Sequence, residues 1–335
     1  MIINRQKATN RLRNLVIKLG LLINPVLLKF KQENNQLLVF YFHALYESID
    51  QKNLNHIDPQ NGMTVNQFIE FIDYFLFHNY IFIKPDDLLS GLKKDQRYIM
   101  LTFDDGYYNN FLTLDILNKY KIPAVFFITA INVKENKSFW WDVVYKYRFK
   151  QGVRIEKIRD EQKFLKRFNS SYIDEYIRNN FGADSSEPWS DIDRPLTPDE
   201  VKTLIKNPYV SIGNHTYNHS VLINCNEEEI SYEFRESNKY LTDLVETIPS
   251  CVAFPNGDYN KLVLKVAGET GFRYAFTVEP KKNYFPFEVR KLNCISRFKA
   301  NTFEIDKYGS FYRLGYSPGS IYSFIRTMTI PNRKE

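Results

Sequence analysis

The sequence predicts a parallel α/β fold, with a (β/α) barrel as the favoured architecture. Apolar runs of about six residues recur along the chain, as expected of strands buried on both faces, and helical patterns separate them. Each cluster of polar residues directly follows such a run. In a (β/α) barrel the carboxyl ends of the strands meet at one face, where active sites lie. An open doubly wound sheet is the alternative, but the sequence has no GxGxxG loop.

The first elements form a βαβ unit preceded by one more strand and helix. We predict strands over Leu37–Phe42, Tyr98–Phe103 and Ala124–Thr129, and helices over 64–78 and roughly 107–120. Thr64 with Gln67 three residues later forms the signature of a capping box at the start of the first of these helices.

The pattern degrades between about 134 and 195, which we interpret as a helical insertion covering one side of the site. Regular alternation then returns with capping-box signatures at Thr197 and Asn226. The predicted elements are a helix from Pro198, a strand over Tyr209–Ile212, a helix ending near 247, a strand over Cys251–Phe254, a helix over roughly 260–270, and strands near 273–277 and 289–294.

Three segments make up the predicted domain plan: an N-terminal amphipathic helical extension (1–36), the barrel (37–300) and a C-terminal extension (301–335). Residues 11–30 are basic and apolar, but Lys18 and Pro25 interrupt them too much for a spanning helix, and they make a poor signal peptide. This segment either lies on a membrane face or packs on its own domain.

Bulk composition excludes several classes of protein. The chain has 335 residues, 44% hydrophobic and 25% charged, which is ordinary for a globular protein. Its net charge of +6 comes without a long basic run or a nucleic-acid-binding motif, so we expect no nucleic-acid partner. The three cysteines are widely spaced, which favours a reducing compartment over a disulfide framework.

Two adjacent carboxylates, Asp104 and Asp105, end the strand that precedes them. Their side chains can face one site only if the chain turns there, and Gly106 permits that turn. The simpler alternative is one Asp that caps a helix and one that stabilises a turn.

Two histidines, His215 and His219, follow the strand over Tyr209–Ile212. Their HxxxH spacing predicts that both rings lie on one side of a helical turn. Two imidazoles and one carboxylate form a three-ligand metal site with a position left for water, and the second carboxylate can accept a proton from that water. The alternative is a pair of histidines that make only local hydrogen bonds.

These motifs resemble those of the polysaccharide deacetylases (NodB homology domain, carbohydrate esterase family 4). TFDDG at 102–106 and HTYNH at 215–219 are similar to the first two motifs of that family, and the segments ending at His43, 140–142 (WWD) and 254–257 (FPNG) resemble its other landmarks. The resemblance implies an irregular (β/α) barrel of the NodB/polysaccharide deacetylase type. It also implies that Asp105, His215 and His219 bind a divalent metal, usually Zn²⁺, and that Asp104 is the general base.

The chain departs from the family pattern at two places. The third motif lacks its usual Arg, and Asn256 stands where Tyr is common; any non-proline residue there can offer a backbone N–H to the oxyanion. Arg297 could replace the missing Arg or form an unrelated ion pair. The late Leu-x-His motif is also absent, so His43 could supply the general acid or merely cap a strand end as a buried neutral ring. We expect Tyr107 to contact the substrate.

The sequence therefore predicts a metal-dependent hydrolase that removes N-acetyl groups from an amino sugar in a poly-, oligo- or lipid-linked saccharide. The alternatives are a non-catalytic glycan-binding relative and a metal-dependent O-acetyl esterase. The N-terminal segment predicts a cytoplasmic enzyme with peripheral contact at the inner membrane face.

Overall fold

The computed structural model describes residues 2–31, 33–59, 62–288, 291–300 and 305–318, and these contain a mixed set of helices and strands. The strands are β1 (Gln36–Phe42), β2 (Ala44–Tyr46), β3 (Gly62–Thr64), β4 (Tyr80–Phe82), β5 (Arg97–Phe103), β6 (Ala124–Ile128), β7 (Val210–Asn214), β8 (Cys251–Ala253), β9 (Tyr274–Phe276), β10 (Asn283–Tyr284), β11 (Asn293–Ile295) and β12 (Phe298–Lys299). Positions 289 and 290 of the last predicted strand lie outside the described residues.

The α-helices are α1 (Ile2–Phe30), α2 (Ile49–Lys52), α3 (Val65–Phe77), α4 (Leu114–Tyr120), α5 (Ala130–Glu135), α6 (Trp140–Lys150), α7 (Ile155–Leu165), α8 (Ser170–Phe181), α9 (Pro198–Ile205), α10 (Glu227–Val245), α11 (Lys261–Glu269) and α12 (Ile305–Leu314). The helix predicted over 107–120 is divided, because residues Tyr108–Thr113 form a 3₁₀ helix before α4 begins. The capping boxes predicted at Thr64, Thr197 and Asn226 are all present.

The main sheet is a nearly closed barrel. Its strands follow the order β10-β1-β5-β6-β7-β8-β9-β11, with β4 added beside β5 and β12 beside β1. All of these pairs are parallel except β1 with β10. Since β11 pairs with β9 and β12 pairs with β1, the short chain segment from β11 to β12 joins the two ends of the sheet. The predicted irregular (β/α) barrel is confirmed.

Alternate residues of each strand face the barrel interior and the surrounding helices. Along β1, Leu37 and Val39 pack with Phe127 and other strand residues inside the barrel. Leu38 and Phe40 belong instead to the larger cluster that includes the apolar face of α3. Both sets are fully buried, which explains why the strand is a continuous apolar run.

Helices α1 and α12 pack against each other beside the barrel. The ring of Phe311 in α12 lies so close to Gly20 of α1 that a β-carbon at position 20 would come within 2.6 Å of it. The hydroxyl of Tyr316 donates a 2.6 Å hydrogen bond to Oδ1 of Asn24. Tyr312 of α12 is buried against Phe40 of β1. Residues 305–314 of the predicted C-terminal extension therefore belong to the barrel's packing.

Much of α1 nevertheless remains uncovered. Among the side chains of this helix that the structure describes (11, 12 and 14–30), eight large apolar ones are exposed: Leu12, Leu15, Leu19, Leu22, Ile23, Val26, Leu27 and Phe30. Among the described residues, no helix combines the length and apolar character needed to cross a bilayer.

Candidate active site

The predicted site residues meet at the carboxyl ends of the strands. His43 follows β1, Asp104 and Asp105 follow β5, and His215 follows β7. Together with His219 they line one cleft of about 350 Å³, a volume typical of small-molecule sites. The convergence follows from the parallel sheet, which brings the ends of strands distant in sequence to the same edge.

Asp105, His215 and His219 have the geometry of a metal site. Nε2 of each histidine lies 3.3 Å from Oδ1 of Asp105, and the three candidate ligand atoms lie within 4.8 Å of one another. Ligands on tetrahedral zinc bonds of ~2.05 Å would be ~3.3 Å apart, so both measured distances fit such an ion. Nδ1 of His215 lies 2.8 Å from the carbonyl oxygen of Ala253, to which it can donate while Nε2 faces the site.

The environment keeps two of these groups in the state that metal binding requires. Burial alone would raise the pKa of Asp105, but hydrogen bonds from His215 and His219 hold it well below its usual range. Burial lowers the pKa of His219 and so favours its neutral ring. Burial would also lower the pKa of His215, but its hydrogen bond with Asp105 raises it above its usual value. An ionised carboxylate and a neutral imidazole are the forms that bind metals.

The loop that carries the two histidines is not helical, and the predicted helical turn is wrong. Thr216 and His219 instead have positive φ values of 66° and 55°, which fold the loop back so that both rings converge. The buried carboxylate of Glu233 in α10 holds this conformation by accepting hydrogen bonds from the backbone N–H groups of Tyr217 and Asn218, at 2.9 and 2.8 Å. The two rings therefore converge because the loop packs against α10, and not because the loop is a helical turn.

The turn after β5 is sharper than expected, because Asp105 itself has a φ of 76° before Gly106 at 88°. A left-handed conformation is unfavourable for a residue with a side chain and persists where the surroundings impose it. Here it directs the carboxylates of both Asp104 and Asp105 into the cleft.

Arg297 forms an ion pair with Asp104, which is the first of the two alternatives that the sequence offered for this residue. Its Nη1 and Nη2 donate to Oδ1 and Oδ2 of Asp104 at 2.6 and 2.9 Å, a bidentate arrangement. Nη1 also donates to Oγ1 of Thr102 at 3.0 Å, and Nε donates to the carbonyl oxygen of Thr277 at 3.1 Å. The guanidinium is fully buried. Arg297 lies between β11 and β12, in the segment that closes the barrel, and so reaches Asp104 from a later part of the chain than the missing Arg would.

Asn256 lies in the cleft wall with a φ of 57°. Its side-chain oxygen accepts a hydrogen bond from Lys166 of the insertion. Its backbone N–H makes no hydrogen bond within the described part of the chain. The next residue, Gly257, has a φ of 75° and lies so close to Val278 that a β-carbon would come within 2.2 Å of it.

His43 lines the same cleft, and its ring packs edge-on against Tyr41 at 5.6 Å between centroids. Burial lowers its pKa to about 4, although the charges of Asp105 and Asp104 oppose the shift. The ring is therefore neutral at pH 7 in the substrate-free cleft.

Tyr107 does not reach the substrate cleft, which corrects the expectation of a substrate contact. Its side chain is fully buried. Its hydroxyl donates to Oδ2 of Asp142 and accepts a 3.0 Å hydrogen bond from Nε1 of Trp141. Trp141 in turn packs on His219 with 4.4 Å between ring centroids. Tyr107 thus supports the wall of the metal site from behind.

Residues from the range 134–195, predicted as an insertion, line one side of the cleft. This range contributes Trp141, Arg159, Gln162 and Lys166 to the cleft lining. Of these, the sequence singled out only the Trp140-Trp141-Asp142 landmark. No motif marked the other three, whose positions depend on how the insertion packs. Nor did any motif mark Lys299, whose position depends on the pairing of β12 with β1.

The model of the family described as "Polysaccharide deacetylase" matches residues 91–275. The chain is 31% identical over 87 residues to the peptidoglycan-N-acetylmuramic acid deacetylase PdaA of Bacillus subtilis (strain 168), covering 25% of this chain and 28% of that protein. It thus spans less than a third of that relative. It is also 24% identical over 265 residues to the poly-beta-1,6-N-acetyl-D-glucosamine N-deacetylase of Staphylococcus aureus (strain MSSA476), covering 76% of each chain.

Among solved structures, the fold is similar to a polysaccharide deacetylase from Bacillus cereus, with a TM-score of 0.56 and 15% identity. That match covers 83% of this chain and 69% of the other. At this level of identity the likeness supports the fold.

Proposed function

Because the chain belongs to the polysaccharide deacetylase family, we propose that it is a metal-dependent hydrolase that removes N-acetyl groups from an amino sugar. The observation that carries the proposal is the convergence of Asp105, His215 and His219 in one cleft with the ion-paired Asp104. The two relatives described above are named as deacetylases of N-acetylmuramic acid in peptidoglycan and of poly-beta-1,6-N-acetyl-D-glucosamine. Their names support an N-acetylated saccharide as the substrate, and we propose that it is a poly-, oligo- or lipid-linked one.

Asp105, His215 and His219 would hold the ion, and a carboxylate with two imidazoles suits Zn²⁺. A divalent ion bound there would supply Lewis acidity, which polarises the acetyl carbonyl and makes a water molecule acidic near neutral pH.

The chain's own residues would move the protons and orient the reacting groups. Asp104 accepts a proton from the attacking water, and Arg297 holds both of its carboxylate oxygens in place. The backbone N–H of Asn256 donates to the developing oxyanion. His43 protonates the leaving amine. Since its ring is neutral in the free cleft, His43 must first take up a proton, and the proton that Asp104 accepts is one source. The products are acetate and a free amino sugar.

The proposal is tested by measuring acetate release from N-acetylated oligosaccharides with the metal-loaded protein. Asp104→Asn should still bind metal but lose about 10²- to 10⁴-fold in kcat, the usual contribution of a general base. Asp243→Asn, a matched change at an exposed position of α10, should behave as wild type. A folded Asp104→Asn variant with full activity would show that another group is the base.

The same assay separates the two alternative functions. Release of acetate from O-acetyl but not N-acetyl substrates would identify an esterase. Metal and saccharide binding without acetate release from any substrate would identify a non-catalytic glycan-binding relative.

We also propose a cytoplasmic location with peripheral contact to an anionic membrane through α1. The exposed apolar side chains of α1 and its basic residues Arg11, Lys18 and Lys29 support this contact. Vesicles containing anionic lipid should co-sediment the protein, and Leu22→Glu should weaken the binding. Ile248→Glu, which changes an exposed residue outside α1, serves as the control. Equal sedimentation of both variants would contradict the proposal, and fractionation of the native cell would test the location.

A further inference from the structure

One wall of the cleft carries charges that the proposed chemistry does not use. Besides the metal-site residues, the lining includes Asp58, Arg159, Lys166 and Lys299. Lys166 directly follows helix α7 in the middle of the insertion, and Lys299 comes from β12, directly after the segment that closes the barrel. These two lysines therefore reach the same cleft from distant parts of the fold.

Only part of this positive charge is balanced within the protein. Arg159 forms a close ion pair with Asp58, donating from Nε at 3.1 Å and from Nη2 at 3.0 Å to the same carboxylate oxygen. Lys166 donates to the neutral side chain of Asn256. Within the described part of the chain, Nζ of Lys299 has no hydrogen-bond or ion-pair partner. Two positive charges in the cleft thus lack a directly bonded counter-charge.

The lysines also lie within electrostatic range of each other and of the reacting groups. Burial lowers the pKa of Lys299; the negative charge of Asp58 opposes this shift, and the positive charges of Lys166 and Arg159 add to it. Burial likewise lowers the pKa of Lys166, which is opposed by the charges of Asp258 and Asp105. The charge of Lys166 lowers the pKa of His219, and the charge of Lys299 lowers the pKa of His43, so both lysines lie close to the proposed site. Both lysines are half-buried, and partial removal of a charge from water without a bonded partner is unfavourable, so an anionic ligand that pairs with them would be stabilised there.

The acidic residues of the site are already committed to other partners. Asp104 is neutralised by Arg297, and Asp105 faces the two histidines at the proposed metal position. A divalent ion there would add positive charge to the cleft and so increase the positive charge that is not paired with a carboxylate. A neutral saccharide would leave both ammonium groups without a directly bonded counter-charge.

We infer that Lys166 and Lys299 form an anion-binding subsite that selects an N-acetylated saccharide carrying a carboxylate or phosphate near the acetamido group. This inference rests on the proposed function and specifies its substrate class. Carboxylate and phosphate share the chemistry that an ammonium pair recognises, namely a compact anion with several acceptor oxygens. They differ in source, since a carboxylate belongs to an acidic sugar and a phosphate to a phosphate-linked saccharide.

The experiment compares substrates that differ only in charge. Acetate release by the metal-loaded, full-length protein is measured on an N-acetylglucosamine disaccharide with a carboxylate on the adjoining sugar, and on the same disaccharide with that carboxylate converted to a primary amide. A third arm uses N-acetylglucosamine 1-phosphate against its uncharged methyl glycoside. We expect kcat/KM to favour the acidic member of at least one pair by about tenfold or more, the size of a charge-assisted hydrogen bond. The pair with the larger ratio identifies the source.

Lys299→Gln is the informative variant, because Lys299 has no bonded partner whose loss would disturb the cleft. The ratio of acidic to neutral kcat/KM should fall toward one in this variant. Lys239→Gln removes the same charge from an exposed position on α10 and should keep the wild-type ratio. Lys166→Gln should lower the ratio too, but it also removes the donor to Asn256 and should reduce turnover of both substrates.

The outcomes separate this inference from the function on which it rests. Acetate release with equal rates on acidic and neutral substrates would overturn the anion subsite and leave the deacetylase intact. An acidic preference that survives in Lys299→Gln and Lys166→Gln would also overturn it, because the anion would then bind elsewhere, such as at the metal. If no substrate releases acetate, calorimetric binding of the acidic and amide disaccharides decides the subsite independently. Equal affinities in that measurement would refute it.

Discussion

Replacing Arg297 tests whether a residue from the closing segment of the barrel positions the proposed base. The guanidinium makes four hydrogen bonds, two of them to Asp104 and one each to Thr102 and Thr277. Lysine keeps the charge but cannot form the bidentate pair, so Arg297→Lys loses at least one charge-assisted hydrogen bond of about 1.5–3 kcal/mol. Arg297→Met leaves the buried carboxylate unpaired, which costs about 3–5 kcal/mol of folding stability.

Replacing Arg297 should change kcat more than it changes KM. A misplacement of the base by about 1 Å can cost about 10²-fold in rate. We therefore expect Arg297→Lys to lower kcat by roughly that factor, with little change in KM, because Arg297 does not line the cleft. Metal content should stay at the wild-type level, since the guanidinium does not contact Asp105, His215 or His219.

Acetate release, metal analysis and thermal unfolding of the same preparations provide the assay. Arg235→Met, at an exposed position of α10, is the matched control and should match wild type in all three. A folded, metal-loaded Arg297→Met variant with wild-type kcat would refute the idea that this ion pair orients the base. A rise in KM without a fall in kcat would instead assign Arg297 to substrate binding.

Three further predictions concern the metal, an ion pair and a turn. His219→Ala should lower the bound metal per chain in elemental analysis, and undiminished metal content would exclude this ligand. Glu33→Gln should destabilise the fold by about 3–5 kcal/mol, because it leaves Arg313 buried without its bidentate partner. Burial would raise the pKa of Glu33, but hydrogen bonds from Arg313 and Tyr80 hold it below 4.5. The ionised carboxylate therefore stabilises the fold above about pH 4.5, and this stabilisation is lost in more acidic solution. If the destabilisation by Glu33→Gln stayed the same in acid, it would not come from the charge of Glu33. Gly257→Ala should cost at least about 1–3 kcal/mol in denaturant unfolding, because of its positive φ and the contact with Val278, and unchanged stability would show that the turn relaxes.

Local elements could be read from the sequence wherever a short-range signal decides the structure. The three capping boxes depend on contacts within four residues, and all three form. The strands β1, β5 and β6 are continuous apolar runs because both of their faces are buried. The short strands β2, β3, β4, β10 and β12 were not predicted, since they lie outside the regular alternation of strands and helices.

The candidate ligands were also visible in the sequence, but the way the chain holds them was not. The HxxxH spacing suggested a helical turn, whereas the loop is bent by positive φ at Thr216 and His219 and held by Glu233 from α10. That carboxylate lies many residues further along the chain, so no local pattern could have indicated it.

The linear order of residues was enough to determine the alternation of strands and helices and the residue types suited to a metal, because backbone preference and ligand chemistry are properties of short segments. Only the folded chain decided which distant side chains meet. It placed Arg297 on Asp104, buried Tyr107 behind Trp141, and brought Lys166 and Lys299 to one cleft. Such pairings depend on closure of the barrel and on packing of the insertion. Both arise from the burial of apolar surface across the whole molecule. That burial depends on contacts between distant segments, which a short stretch of sequence cannot predict.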